Sequence, residues 1–445
     1  MSFQGYPKAL SYAFGRMEGF SKITQRVEPL RKDAVKPGST IKVAIEPNTL
    51  WDTRSFCMYY EFTTPDVGLT AASGGNYVGR FAPRLSSSIV DTVSVFMNNY
   101  QVDNCMDYNL LYNTLYDMNA SFVQTNKRFL ENSKPATKDI VTFGADGSTI
   151  TPEDTTVANV ADLSDTNRPF VINNWVNMLG NTSVEYLDTS DCGLTEVSIR
   201  LAPSTICFKS AGSATHSLNV SDYTLNNVYF TYSKLIFKDA LYEQIKNASL
   251  MSEAGLSVKF TSYETHTGPL QSRNINYQFM TNASSLDDVI CTARRSDYST
   301  EAELLDKNGF GQSKYFQRDL SGCKSSQLFI NGTAMSQRAL TPPEIYNETL
   351  IALNDHNDMS NSSHYGLSSL GHFFKYYFAH ILSLQYNKET STPLISGLNG
   401  GGASFTVLWK TECESAVTAQ VYPVVFTASS RVLRIHKGKQ INVEI

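Results

Sequence analysis

RFAPRLSSSIVDTVSVFMNNYQVDNCMDYNLLYNTLYD, residues 80–117, carries the decisive pattern. Ile89, Val93, Val95 and Met97 alternate as in a strand with one buried face. Asn98-Asn99 follows, and Asn tolerates the left-handed backbone that tight turns need. Asp103 or Asn104 is placed to cap a helix, on one face of which lie Tyr108, Leu111, Tyr112, Leu115 and Met118. The same order returns later. Leu328-Phe329-Ile330 runs into Asn331-Gly332, and Thr341-Pro342-Pro343-Glu344 starts a helix with a capping box and an early proline. Ile345, Tyr346, Leu350 and Leu353 then share a face. Asn98 and Asn331 are 233 residues apart, and Tyr112 and Tyr346 are 234 apart. In 445 residues that spacing predicts two copies of one architecture in tandem.

The composition agrees. Hydrophobic residues make up 41% of the chain and charged residues 18%, which argues against disorder and against a coiled coil. With 24 Tyr, 24 Phe and many Asn, Ser and Thr, the chain suits short strands joined by polar turns. A net charge of −5 is no nucleic-acid footprint. The first 36 residues differ, holding seven Lys/Arg against three acids. The seven cysteines form no C-x-x-C, and the opening MSFQGYPKAL has no apolar signal core. Reduced, mostly buried thiols in a chain made in the cytosol are expected. Eight N-x-S/T sequons then read as by-products of Asn/Ser/Thr richness. No apolar run is long enough to span a membrane.

Strand patterns begin at Ile41, and polar stretches punctuate them. The expected organisation is an N-terminal arm over 1–35, a first sandwich over 36–212 and a second over 213–445. Residues 131–169 are read as an outer loop, and KSAGSATHSLNVSD (209–222) as the linker. The chain should close with strands at 373–386, 404–410, 417–426 and 431–435. About eight strands per half, one principal helix each and no βα alternation predict an all-β chain. Its architecture would be two tandem eight-stranded antiparallel jelly rolls, each with a short helix, plus long surface loops.

Motifs for chemistry are missing. There is no G-x-x-x-x-G-K-[ST], G-x-S-x-G or H-E-x-x-H. His364, His372 and His380 are eight apart, too widely spaced for ligands on one strand. The glycines of 309–311 and 400–402 lack the strand-helix context of a phosphate cradle. Asp355-His356-Asn357-Asp358 lacks the rest of a calcium loop. Asp287-Asp288 and Asp188/Asp191 read as turn or capping carboxylates. The aromatic runs 229–232 and 373–378 contain one lysine, too little charge for base stacking, and read as core and interface. No catalytic, cofactor-binding or metal-binding residue is assigned, and no enzyme activity is expected.

Three patches carry a likeness. Residues 80–117 resemble the arginine/proline-led segment of major capsid proteins from polinton-like viruses and virophages. Val184-Glu185-Tyr186-Leu187-Asp188-Thr189, then Val197-Ser198-Ile199-Arg200-Leu201-Ala202-Pro203, resembles that family's Asp-Thr segment and its strand ending in Leu-Ala-Pro. Tyr223-Thr224-Leu225 with Val228-Tyr229-Phe230-Thr231 looks like the opening strand of the family's second jelly roll. The resemblance implies a double jelly roll, with three copies forming a pseudo-hexagonal capsomer that tiles an icosahedral shell. It implies self-association with neighbouring capsomers, penton and minor capsid proteins as partners, a place in the virion after synthesis in the host cytoplasm, and no cofactor. It implies no sequence-specific nucleic-acid binding. A tandem jelly-roll carbohydrate-binding or attachment protein is the alternative reading; three tryptophans are few for it.

Overall fold

Both strand-and-turn units read from the sequence are present, but each turn opens a second strand, unread in the sequence, before the helix. The structure, a computed structural model, describes residues 21–31, 35–63, 67–70, 76–79, 81–83, 85–119, 130–131, 141–143, 150–152, 168–209, 223–236, 240–252, 255–298, 302–303, 312–353, 370–386, 397–400, 404–414 and 420–444. Strand β4 (Val90–Met97) turns at Asn98-Asn99, both at positive φ, into β5 (Tyr100–Cys105). Strand β12 (Cys323–Ile330) turns at Asn331-Gly332, again both at positive φ, into β13 (Thr333–Ala334). Two-residue turns of this hand match the natural twist of a hairpin, which is why Asn and Gly stand there. A helix follows each hairpin: α1 (Tyr108–Asn119) and α3 (Pro342–Ala352).

Around each hairpin a sandwich is built in one order. The first uses β1 (Ser21–Val27), β2 (Thr40–Ile45), β3 (Leu50–Thr63), β4, β5, β6 (Arg168–Ile172), β7 (Thr195–Leu201) and β8 (Thr224–Ile236). Its sheets run β1-β8-β3-β6 and β2-β7-β4-β5, with Leu187–Asp188 also pairing β3. The second uses β9 (Leu256–Thr267), β10 (Asn276–Thr281), β11 (Ser285–Arg295), β12, β13, β14 (His380–Ser383), β15 (Phe405–Cys413) and β16 (Val421–His436). Its sheets run β9-β16-β11-β14 and β10-β15-β12-β13; Leu398–Asn399 adds to β11, and β17 (Gln440–Glu444) to β16. Each strand of the second half therefore sits where the strand eight earlier sits in the first. Two four-stranded antiparallel sheets with crossing connections make a jelly roll, and the chain holds two. Helix α2 (Ala240–Met251) joins them.

Strand β4 buries Val93, Val95 and Met97, and β7 opposite buries Val197, Ile199 and Leu201. Strand β3 contributes Trp51, Phe56, Met58 and Tyr60 to the facing sheet. Period-two burial from two sheets is what fills a sandwich core. The second core repeats this with Leu328, Ile330, Val407 and Trp409.

Several expectations need correction. The boundary at 212/213 falls inside the first jelly roll: β8 pairs along β3, so it closes the first sandwich rather than opening the second. The arm expected over 1–35 ends in a strand, because Ser21–Val27 pairs with β8. Position 103 does not cap α1; Asp107 precedes the helix, and its carbonyl accepts from the Leu110 and Leu111 amides. Residues 373–376 lie in helix α4 (Leu370–Tyr376), not in a strand, and 421–436 is one strand rather than parts of two. Tyr112 is buried, whereas Tyr346 is half-buried against Phe373. The arm's residues 1–20, most of the 131–169 excursion and the linker residues 210–222 lie outside the described residues. So do residues 354–369.

Candidate functional site at the joint between the two sandwiches

The two jelly rolls meet along unlike edges. Strand β5 ends the second sheet of the first sandwich, and β9 begins the first sheet of the second. Asp103 on β5 is buried, and its carboxylate accepts from the Ser262 hydroxyl on β9 at 2.7 Å and from the Met178 amide at 3.1 Å. Burial pushes this carboxyl above its ordinary value; the two hydrogen bonds and the positive charge of Arg431 act against that rise. Residues 181–183 run beside β9 like a further strand. The Ser183 amide donates to the Lys259 carbonyl at 2.8 Å, and the Thr261 amide to the Asn181 carbonyl at 3.1 Å.

Helix α1 lies across the joint with one aspartate near each end. Asp107 accepts from Arg294 of β11 at 3.0 Å, and that guanidinium also sits 4.9 Å and 4.8 Å from the ring centres of Tyr298 and Tyr315. Asp117 accepts from Arg318 at 2.7 Å. Arg318 is fully buried, and its remaining N–H groups face the carbonyls of Phe316, Tyr377 and Phe378. Asn98, in the first hairpin turn, donates to the Lys439 carbonyl at 3.0 Å. Gly193 leaves room for that side chain, since a Cβ there would lie 2.8 Å from Asn98 Oδ1. The connecting helix is fastened to the first sandwich: Tyr242 donates to Asp188 at 2.9 Å, and Lys246 lies 3.4 Å from the same carboxylate.

Apolar packing is continuous through this region. Val258, Phe260, Phe426 and Leu433 of the second sandwich share one core with Leu110, Leu111 and Tyr112 of the first, while Met118 joins the core of the second. The joint is thus a weld of buried ion pairs inside shared apolar packing. Breaking one partner of such a pair typically costs about 3–5 kcal/mol.

Of the residues weighed for chemistry, His380, Asp188 and Asp287 have structural partners. His380 is buried, with Nδ1 2.9 Å from Ser326 Oγ and Nε2 3.0 Å from Glu348 Oε2. The order Ser-His-Glu is that of a hydrolase relay, but Ser326 is 0% exposed and also accepts from Trp409 Nε1 at 2.9 Å. The relay orients a core rather than facing a substrate. Asp287 is buried and accepts from the Ser285 and Ser430 hydroxyls. The structure thus puts Asp188 and Asp287 to work inside the fold. His364, the 309–311 glycines and residues 355–358 lie outside the described residues. Among the described residues no group of three His, Cys, Asp or Glu could hold a metal, and no helix is long and apolar enough to cross a membrane. Sequence reading missed Asp107, Asp117, Arg294 and Arg318. One signal was available: Asp117, between Tyr116 and Met118, is the one charged residue of its helix, and a charge on a buried face demands a partner.

No protein-family model matches the chain, and neither does any curated protein. Solved structures do. The chain is similar to the PBCV-1 virus capsid protein, with a TM-score of 0.57, 10% identity and coverage of 97% of this chain and 98% of that one. It is similar to a chain of the Sputnik virophage particle, at TM-score 0.57 and 12% identity over 100% and 90%. It is similar to the Faustovirus major capsid protein, at TM-score 0.58 and 9% identity over 98% and 92%. The chain has the double jelly-roll fold of viral major capsid proteins. At such identities the likeness is one of fold, and it spans both jelly rolls.

Proposed function

We propose that this double jelly-roll chain is a major capsid protein. Three copies would form a closed pseudo-hexagonal capsomer, and capsomers would tile an icosahedral shell with penton and minor capsid proteins. The first jelly roll would span 21–236, and the second 256–444, with α2 as the connector. The observation that carries this reading is the unlike character of the joint. Inside one chain, the β5 edge of the first jelly roll meets the β9 edge of the second. By the eight-strand offset, β13 is the counterpart of β5, and β1 is the counterpart of β9. These two edges are left over, one on each jelly roll. A contact between unlike surfaces repeats head to tail, and it closes into a ring when the rotation allows. A second copy offering its β13 edge to the first copy's β1 edge would repeat the joint between chains. Three chains would then supply six similar jelly rolls.

Light scattering on the purified chain should give three times its 49.4 kDa mass, and negative-stain images should show six-sided particles. A monodisperse monomer at micromolar concentration would overturn the reading.

A further inference from the structure

Two cysteines face each other across the second sheet of the second jelly roll. Cys323 begins β12, Cys413 ends β15, and they are register partners, with a register shift between Cys323 and Ser325 on the inner side of the pair. Neither amide bonds to the opposite residue: the Cys323 amide donates to the Leu320 carbonyl, and the Cys413 amide to Asn274 Oδ1. The Glu414 amide donates to the Gly322 carbonyl one step outward. The pair therefore occupies the narrow, non-hydrogen-bonded site of the ladder. There, Cα atoms lie about 4.5 Å apart and side chains point at one another, inside the roughly 4.4–6.8 Å span that a disulfide bridges. Both thiols are free in the structure. The other described cysteines have no such partner. Cys105 faces Val93, Cys57 faces Thr231, and Cys291 faces His380 and Val425.

We propose that Cys323 and Cys413 form a redox-responsive cross-strand pair, open as two thiols in a reducing compartment and closed by exchange with a low-molecular-weight disulfide. Cys413 is the entering nucleophile. The S–H of Cys323 and the nearby Arg273 charge hold its thiol below the ordinary range, while Cys323 is pushed up. With oxidised glutathione, the Cys413 thiolate attacks one sulfur, forming a mixed disulfide and releasing one glutathione. Cys323 then gives its proton to solvent and attacks the Cys413 sulfur, expelling the second glutathione. Two protein thiols are oxidised and one glutathione disulfide is reduced, so the exchange needs no further reagent. Access is through the sheet's end: the two cysteines are 8% and 7% exposed as residues, and Lys324 and Glu414 beside them are exposed. The bond would tie residue 323 to residue 413 across a long stretch of chain, which restricts the unfolded state and raises the melting temperature. The proposal does not depend on the capsid reading.

The test is to incubate the folded, full-length chain with oxidised glutathione, block remaining thiols and map the peptides. The expected result is one Cys323–Cys413 cross-linked peptide, two fewer titratable thiols per chain and a melting temperature raised over the reduced sample. The rise should be absent in Cys413→Ser and in Cys323→Ser. Recovery of both cysteines as blocked thiols, or as separate glutathione adducts, would overturn the proposal. So would a cross-link that forms only after denaturation. The peptide map of the unaltered chain decides the matter even where a serine variant fails to fold.

Discussion

Asp117 and Arg318 are 201 residues apart in sequence and 2.7 Å apart in space, with both side chains essentially out of water. They join the end of the first jelly roll's helix to the second jelly roll. Replacing Arg318 with Leu strips a buried carboxylate of its guanidinium, and replacing Asp117 with Leu strands a buried cation; each should cost about 3–5 kcal/mol. The double variant Asp117→Leu/Arg318→Leu should cost less than the two losses added, because neither charge then remains. Denaturant unfolding of the four proteins measures this coupling. Strict additivity would mean the pair does not carry the joint.

The joint should also respond to pH through Asp103. Its carboxyl is raised by burial, so in the folded chain it takes up a proton at a higher pH than in the unfolded chain. Its contribution to stability is fully present below the ordinary carboxylate value of about 3.9 and is lost as pH rises through the raised value. Asp103→Asn should remove that component, so the stability difference between variant and parent should change across the acid range. Unfolding midpoints from pH 7 downward would show it. Parallel profiles for the two proteins would contradict the assignment.

Helices α1 and α3 occupy matching places but do not bear equal loads. Tyr112→Ala should cost on the order of 3 kcal/mol or more, as for a large aromatic removed from a core. Tyr346 is half-buried against Phe373 at a centroid distance of 5.0 Å, so Tyr346→Ala should cost clearly less. Thermal melting of the two variants gives the ranking, and equal losses would contradict it.

Deleting residues 1–20 and deleting residues 1–27 should have different consequences. The first leaves β1 on β8; the second removes it and bares the β8 edge. The shorter deletion should keep a folded trimer. The longer should lower the melting temperature and release monomers, seen by light scattering. A trimer that survives the longer deletion would place the contact between chains elsewhere.

One residue inserted after Val93 should abolish soluble protein. Strand β4 is paired on both sides, to β7 and β5. A one-residue shift would turn Val95 and Met97 outward. Soluble, cooperatively melting protein from this insertion would contradict the register.

Much of this was legible because it is local. A two-residue turn needs residues tolerant of positive φ, so Asn98-Asn99 and Asn331-Gly332 announce themselves. A half-buried strand such as β4 alternates, and a helix start such as Thr341 to Glu344 carries its own partners: Glu344 accepts from the Thr341 amide at 2.8 Å and its hydroxyl at 2.7 Å. What was missed depends on distance. Strand β1 lies at a sheet edge and has no buried residue, so it resembles an arm. The partners of β8 lie far upstream in β1 and β3, while a polar stretch directly precedes it, so it resembles the start of a new domain. Asp107 with Arg294, and Asp117 with Arg318, gain meaning only when the two halves dock. A sequence shows that a buried charge needs a partner, but not which one.

In the proposed ring, the covalent link between the two jelly rolls would also change the concentration law of assembly. A ring of six separate jelly rolls would form with a sixth-power dependence on protein concentration. In a three-chain ring, half of the six joints are made within single chains as they fold, where the effective concentration is set by a short connector. Ring formation then follows the third power, so dilution penalises it far less steeply. The internal joint would always place a first jelly roll beside a second. Every ring would therefore alternate the two, and the outer surface of each jelly roll could diverge without disturbing its neighbours.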